Sequence, residues 1–258
     1  DASPLHDHTS SVTHLRADVT LPSWVRLDPA LQIQEVLDST DWLVVACVSD
    51  GSSQYIWCDI DDIQVSDIPV PREHPKLTSA PDAVKAEAVR LVDWSPCSRL
   101  SPLTDLKTSL RGCVHAISMD VQDTFMQLRA GVGLQRFLGL YHRGGTLVFT
   151  RVPYGLAISP HILEVAVRHV VGRLITAGVL PDCQVKILHY MDDVFLLSTR
   201  SLTPTEVSTL TGRVVDLFAR YSLPMSPKKT IVLFDTAKVN ALGLEYIDHG
   251  KFVRFPLP

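Results

Sequence analysis

Cysteine is scarce in this chain, and the little there is carries no pattern. Its five residues, Cys47, Cys58, Cys97, Cys113 and Cys183, form no Cys-x-x-Cys pair. That argues against a zinc knuckle or a disulfide framework and for reduced thiols in an intracellular setting, cytoplasmic or nuclear. Long apolar runs are missing too. No stretch is long enough to cross a bilayer and no signal-peptide pattern is seen, so no membrane partner is expected. Basic charge is absent from one whole block: between Leu27 and Pro71 nine acidic residues stand without a single Lys or Arg. With a net charge of −4 and a pI near 6.2, the total speaks mildly against a nucleic-acid binder.

The distribution of charge says something different. Between Thr124 and Pro181 six arginines, Arg129, Arg136, Arg143, Arg151, Arg168 and Arg173, face the single Glu164. A basic middle of this kind suits contact with phosphates, although arginines on solvated helix and strand faces are the everyday alternative. At 258 residues and 46% hydrophobic the chain can bury a substantial core in one or two domains.

The most informative stretch is Val185-Lys-Ile-Leu-His-Tyr-Met-Asp-Asp-Val-Phe-Leu-Leu197. Two apolar, β-branched and aromatic segments flank adjacent carboxylates, the pattern of a hairpin with acids at its tip. Neighbouring carboxylates repel unless a cation lies beside them, and oxygen ligands suit a hard divalent ion such as Mg2+. A plain Asp-Asp turn is the alternative. A third carboxylate, Asp120, ends the strand-like segment Val114-His-Ala-Ile-Ser-Met119 and is followed five positions later by Phe125.

Tyr190-Met-Asp-Asp193, Asp120 and Phe125 together resemble the catalytic motifs of reverse transcriptases. Between them, Phe149-Thr-Arg-Val-Pro-Tyr-Gly-Leu-Ala-Ile-Ser-Pro160 is similar to the family's loop-to-helix motif. Downstream, Leu223-Pro-Met-Ser-Pro-Lys-Lys-Thr230 resembles its lysine-bearing motif, and Leu242-Gly-Leu-Glu-Tyr246 its primer-gripping turn. The motifs keep their order across residues 88–247. The tail after the palm and the Thr-Arg-Val-Pro-Tyr-Gly-Leu segment look most like tyrosine-recombinase retroelements (DIRS- or VIPER-type) or Ty3-like elements, while Tyr-Met-Asp-Asp is also similar to retroviruses and hepadnaviruses.

The resemblance implies an RNA-directed DNA polymerase of a retrotransposon polyprotein that adds dNTPs to a primer 3′-hydroxyl on an RNA or DNA template. It implies two Mg2+ ions, replaceable by Mn2+, held by Asp120, Asp192 and, more peripherally, Asp193. Lys229 would protonate the leaving pyrophosphate, with Lys228 its competitor. Val121, Asp123, Thr124, Phe125, Tyr154 and Gly155 would bind the nucleotide, and Leu242, Gly243 and Tyr246 would grip the primer. Phe125 would exclude a 2′-hydroxyl, although a lone Phe is often a core residue. Phe125 and Met191 both disfavour an RNA-dependent RNA polymerase. Asp123 fits equally a helix N-terminal acid. Arg90 and Lys85 are candidates for the triphosphate, but Arg90 stands one position closer to Asp93 than the common Arg-x-x-Val-Asp-aromatic pattern has it. Tyr154 replaces the usual Gln, Met or Phe.

The fold implied is α+β: the fingers and palm of a right-handed polymerase, an antiparallel palm sheet with helices packed on one face, and no thumb. Residues 1–26 would form a flexible leader, 27–113 a fingers-like region and 114–250 the palm, with a fingers excursion at 129–151. Residues 251–258 would begin a truncated thumb. Strands are expected at 41–48, 54–58, 114–120, 185–199 (as a hairpin), 230–235 and 240–247, and helices at 160–177, with Ser159 as N-cap, and 204–221. The chain opens on Asp1 rather than Met, which suggests a processed piece of a polyprotein whose other parts are partners. A second reading is a non-catalytic descendant that keeps the fold as a nucleic-acid or protein-binding module. The acidic block, the displaced Arg90 and the missing thumb motivate it; the retained carboxylates oppose it.

Overall fold

A computed structural model describes residues 21–61, 103–156, 158–180, 184–233, 236–242 and 244–255. Its architecture is mixed α+β. The central sheet is antiparallel, in the order β10-β4-β9-β8. These strands are Ile231–Leu233 (β10), His115–Asp120 (β4), Asp193–Ser198 (β9) and Val185–Tyr190 (β8).

This sheet is covered on both faces, and β9 shows it most clearly. Val194 and Leu196 join one core cluster, while the alternate residues Phe195 and Leu197 join another. Side chains on a strand point to opposite faces by turns, so a strand buried twice reads as one continuous apolar run. On the first face lie two helices, α4 (Ser159–Thr176) and α5 (Pro204–Arg220). Ile162, Val167, Val170 and Leu174 of α4 and Val207, Leu210, Val214 and Phe218 of α5 are buried there with Ile117 and Met119 of β4. Helix α5 starts at a capping box in which Thr203 and Glu206 bond each other's backbone N–H groups. On the second face Leu106 and Leu110 of α1 (Leu103–Leu110) meet Val239 and Tyr246. Those two belong to a three-stranded sheet of Lys238–Ala241 (β11), Leu244–Ile247 (β12) and Phe252–Arg254 (β13).

Before the central sheet comes another, in which Gln32–Ser39 (β1), Leu43–Ser49 (β2) and Gln54–Ile60 (β3) run antiparallel and β3 pairs in parallel with the short Arg129–Ala130 (β5). Helix α4 packs against β1 and β2 as well as β8. A small hairpin, Gly139–His142 (β6) and Gly145–Val148 (β7), turns at Arg143 and Gly144, both with positive φ. Two short helices, α2 (Thr124–Gln127) and α3 (Val132–Gln135), follow β4 and β5.

Several expectations change in detail. Strand β1 is unforeseen. The single strand expected at 240–247 is two, β11 and β12, hinged at Leu242, whose φ is 54°. Ser159 lies inside the first turn of α4, whose N-cap is Ile158; its hydroxyl donates to the Pro153 carbonyl at 3.1 Å instead of accepting from the helix. Within the 1–26 segment, Leu21, Trp24 and Val25 pack on the first sheet, and the Trp24 indole donates to the Asp41 carbonyl at 3.0 Å. Residues 252–254 pair with β12.

Candidate active site

The acidic hairpin forms as its sequence suggests. Tyr190 pairs with Asp193, so Met191 and Asp192 make a two-residue turn, with Met191 at φ 55°. A left-handed first position matches the twist of antiparallel strands and is sterically costly for a residue with a Cβ. Strand β4 ends beside this turn. Asp120 lies directly opposite Asp193, and the Val121 amide donates to the Asp192 carbonyl at 3.0 Å. From the other side the 224–226 loop is laced to the same segment. Gln122 N–H donates to the Pro224 carbonyl at 2.8 Å, Ser226 N–H to the Asp120 carbonyl at 2.7 Å, and Val121 bridges Met225. Backbone bonds on both sides therefore fix where the Asp120 carboxylate starts.

Three negative groups share this corner. Burial, then Asp192, then Asp120, push the Asp193 carboxyl up to about 6, with Lys229 opposing. The Lys229 ammonium donates to both Asp120 oxygens at 3.0 Å. That contact and the nearby charges raise its pKa. Lys229 sits at the end of a 3-10 turn, Pro227–Lys229, while Lys228 is exposed and makes no such contact. Among the described residues no three His, Cys, Asp or Glu side chains are arranged to hold a metal ion. The expected three-carboxylate cluster is thus present as neighbours in register and as coupled charges, not as a closed ligand set. Lys229 takes both oxygens of the carboxylate that would complete it.

Beyond Asp120 the chain turns sharply. Asp123 adopts φ 48°, ψ 41° at the N-cap of α2, is exposed, and makes no capping hydrogen bond. The buried Thr124 hydroxyl donates to the Val121 carbonyl at 2.8 Å, closing the turn. Phe125, half-buried, meets the Tyr154 ring edge to face, with centroids 5.0 Å apart and planes at 82°. Tyr154 is 60% exposed, and Gly155 beside it has φ 89°, a conformation few side chains tolerate. The two aromatics make a small platform that one residue from each of two distant motifs builds.

Leu242 and Tyr246 lie elsewhere. Tyr246 is 1% exposed inside the core on the second face of the central sheet, and its hydroxyl has no hydrogen-bond partner. Its side chain is therefore a packing group, and Leu242 marks the turn. Gly243, Arg90 and Lys85 lie outside the described residues.

Sequence reasoning missed the support under the hairpin. Glu164 of α4, 1% exposed, faces His189, the residue before Tyr190, with Oε2 3.5 Å from Nδ1. Its other oxygen accepts from Arg168 at 2.9 Å. Burial lowers the His189 pKa, Glu164 opposing. A lone Glu among six arginines was the available signal.

Three carboxylates and one ammonium at the rim of an antiparallel sheet make a net-negative corner suited to a cation. The family model for reverse transcriptase (RNA-dependent DNA polymerase) matches residues 82–246, and the chain belongs to that family. It is 27% identical, over 133 residues, to the Gag-Pro-Pol polyprotein of Human T-cell leukemia virus 3 (strain 2026ND), a match covering 49% of this chain and 9% of that one. Among solved structures it is similar to foamy viral protease-reverse transcriptase in complex with RNA/DNA hybrid, at 19% identity and a TM-score of 0.42, covering 55% of this chain and 17% of that one. The same foamy viral protein in complex with dsDNA gives 18% identity and 0.42, covering 55% and 26%. The chain therefore spans only a small part of the length of these relatives. Among the described residues no helix is long and apolar enough to cross a membrane.

Proposed function

We propose that this chain carries the polymerase centre of an RNA-directed DNA polymerase, adding dNTPs to a primer 3′-hydroxyl on an RNA or DNA template. The observation that carries the proposal is the meeting of Asp120, Asp193 and the Asp192 turn in one register, with Lys229 reaching in. A non-catalytic binding module has no need to crowd three carboxylates where one of them is pushed up to about 6. In this reading the central sheet with α4 and α5 is the palm, and the first sheet with the β6–β7 hairpin is the fingers. We read the chain as part of a retroelement polyprotein, the 149–160 segment being the feature most like tyrosine-recombinase or Ty3-like elements.

The donor set fits divalent metal: carboxylate oxygens that repel one another until a hard cation lies between them. Asp120 and Asp192 would hold two Mg2+ ions, with Asp193 as the more peripheral ligand. When bound, the ions supply Lewis acidity toward the primer hydroxyl and neutralise charge on the triphosphate. The rest is positioning by this chain's residues. Lys229 moves from Asp120 to the departing pyrophosphate as proton donor, its raised pKa keeping it protonated until then. The Val121–Thr124 turn presents its backbone to the phosphates. Phe125, braced by Tyr154, stands where a 2′-hydroxyl would collide. Primer extension on an RNA template, with Asp192→Asn as the control, tests the reading.

A further inference from the structure

Six arginines in the basic middle are not equivalent, and the structure sorts them. Arg168 is held by Glu164 and Arg173 by Glu35. Arg129 and Arg151 are different. They face each other across an antiparallel bridge, which places both side chains on the same face. Like charges directly opposite one another are unfavourable there unless an anion joins them. Burial and then Arg129 lower the Arg151 pKa.

Both guanidinium groups are fixed in place. Arg151 donates to the Gln127 carbonyl at 3.0 Å, and Arg129 lies flat on the Tyr55 ring, 3.3 Å from its centroid. Arg129 also pairs with Asp50, whose Oδ2 is 3.8 Å from its terminal nitrogen and whose Oδ1 accepts from Ser52 and Ser53, but the buried Arg129 Nε has no acceptor. Beside them opens a cavity of about 270 Å³, also lined by Arg26, Thr150 and Gly131. One acid, Asp28, shares its wall, and its Oδ1 accepts from the Ala30 amide. Of the residues that line it, three are arginines and one is an acid, with Asp50 paired to Arg129 and the buried Asp59 behind Gly131. Arg151 on its wall stands three residues before Tyr154 in the chain and donates to the carbonyl of Gln127, two residues after Phe125.

We propose that the Arg26–Arg129–Arg151 cavity binds a backbone phosphodiester of the nucleic-acid strand that lies across the platform. The inference rests on the polymerase reading and deepens it. A guanidinium pre-set by an aromatic face and a carbonyl loses little freedom on taking a phosphate, and its planar fork matches phosphate oxygens.

The test is fluorescence anisotropy of the whole chain with labelled single-stranded RNA and DNA oligonucleotides over a series of salt concentrations. Arg129→Gln/Arg151→Gln is expected to weaken binding about tenfold or more and to reduce the salt slope by about one, the unit for one phosphate no longer neutralised. Arg26→Gln, an exposed position that leaves the fold untouched, should weaken binding severalfold by itself. Arg213→Gln, on the outer face of α5, should change neither quantity. Unchanged affinity and slope in both the double variant and Arg26→Gln overturn the proposal. So does competition in which inorganic phosphate protects the cavity while oligonucleotide binding is indifferent to all three arginines, which assigns it to free phosphate. Asp192→Asn, run alongside, separates the two readings: it abolishes extension with oligonucleotide binding kept if the polymerase reading is right, and extension by Asp192→Asn sinks that reading without touching the anisotropy result.

Discussion

Asp193 is the residue whose environment is most at odds with its charge. Its pKa is pushed up to about 6 by burial and by two neighbouring carboxylates. The folded chain therefore holds that proton more tightly than the unfolded chain, whose aspartates titrate near ~4. The contribution of Asp193 to stability is fullest below pH ~4 and falls as pH rises through the window up to about 6, then levels off. In chelator-containing buffer, Asp193→Asn should gain melting temperature over the parent between pH 4 and 7. A constant difference across that range would contradict this. Phe125 makes the second residue-scale case. Phe125→Ala should raise incorporation of ribonucleotides relative to deoxyribonucleotides by about tenfold or more, the scale of a relieved steric clash; unchanged sugar discrimination would make Phe125 an ordinary packing residue. These residues were legible because their chemistry is local: two acids on a turn, one acid at a strand end. Tyr246 was not. Burial depends on what a sheet packs against, and its motif gave no sign that the hydroxyl ends up unpartnered in a core.

At the scale of elements, the hairpin is held from below by helix α4. Glu164 and His189 lie within 3.5 Å with 2% and 10% of their side chains exposed, and removal of Glu164 leaves His189 without the carboxylate that faces it in a low-dielectric setting and frees Arg168. Glu164→Ala should cost about 1–3 kcal/mol of stability and lower kcat for extension more than it raises KM, because the catalytic turn loses its floor. Burial lowers the His189 pKa, so the unfolded state takes up this proton first on acidification. The contribution of His189 to stability should be lost as pH falls below ~6.5, and His189→Gln should remove that component of the slope. A pH profile of melting temperature identical in parent and variant would refute the assignment. The hairpin, β4 and both long helices could be read from sequence because each keeps one period throughout. β1 could not. Register breaks between Ile33 and Glu35 and between Val36 and Asp38 disrupt its alternation, so no face of it looks apolar in one dimension.

For the whole molecule, net charge was a poor guide to partners. The acidic block without Lys or Arg looks repellent to nucleic acid, yet much of its charge is spent inside the fold. Glu35 pairs with Arg173, Asp38 with His161 at 2.9 Å, and buried Asp59 accepts from the Leu134 amide at 2.8 Å. These contacts fasten the first sheet to α4 and to α3. Acids and bases far apart in sequence cancel where the chain folds them together, and composition cannot register that. Among the described residues a local basic cluster stands out against this background, in the Arg26–Arg129–Arg151 cavity.

The central claim is that Asp120, Asp192 and Asp193 perform chemistry. Its most direct test is extension of a labelled primer on an RNA template with dNTPs and Mg2+ or Mn2+, comparing the chain with Asp192→Asn. The expected result is metal-dependent extension by the parent and a loss of at least about a hundredfold in the variant, the order expected when a metal ligand at a phosphoryl-transfer centre is removed. Equal extension by the two proteins, or none by the parent with either metal, would contradict it.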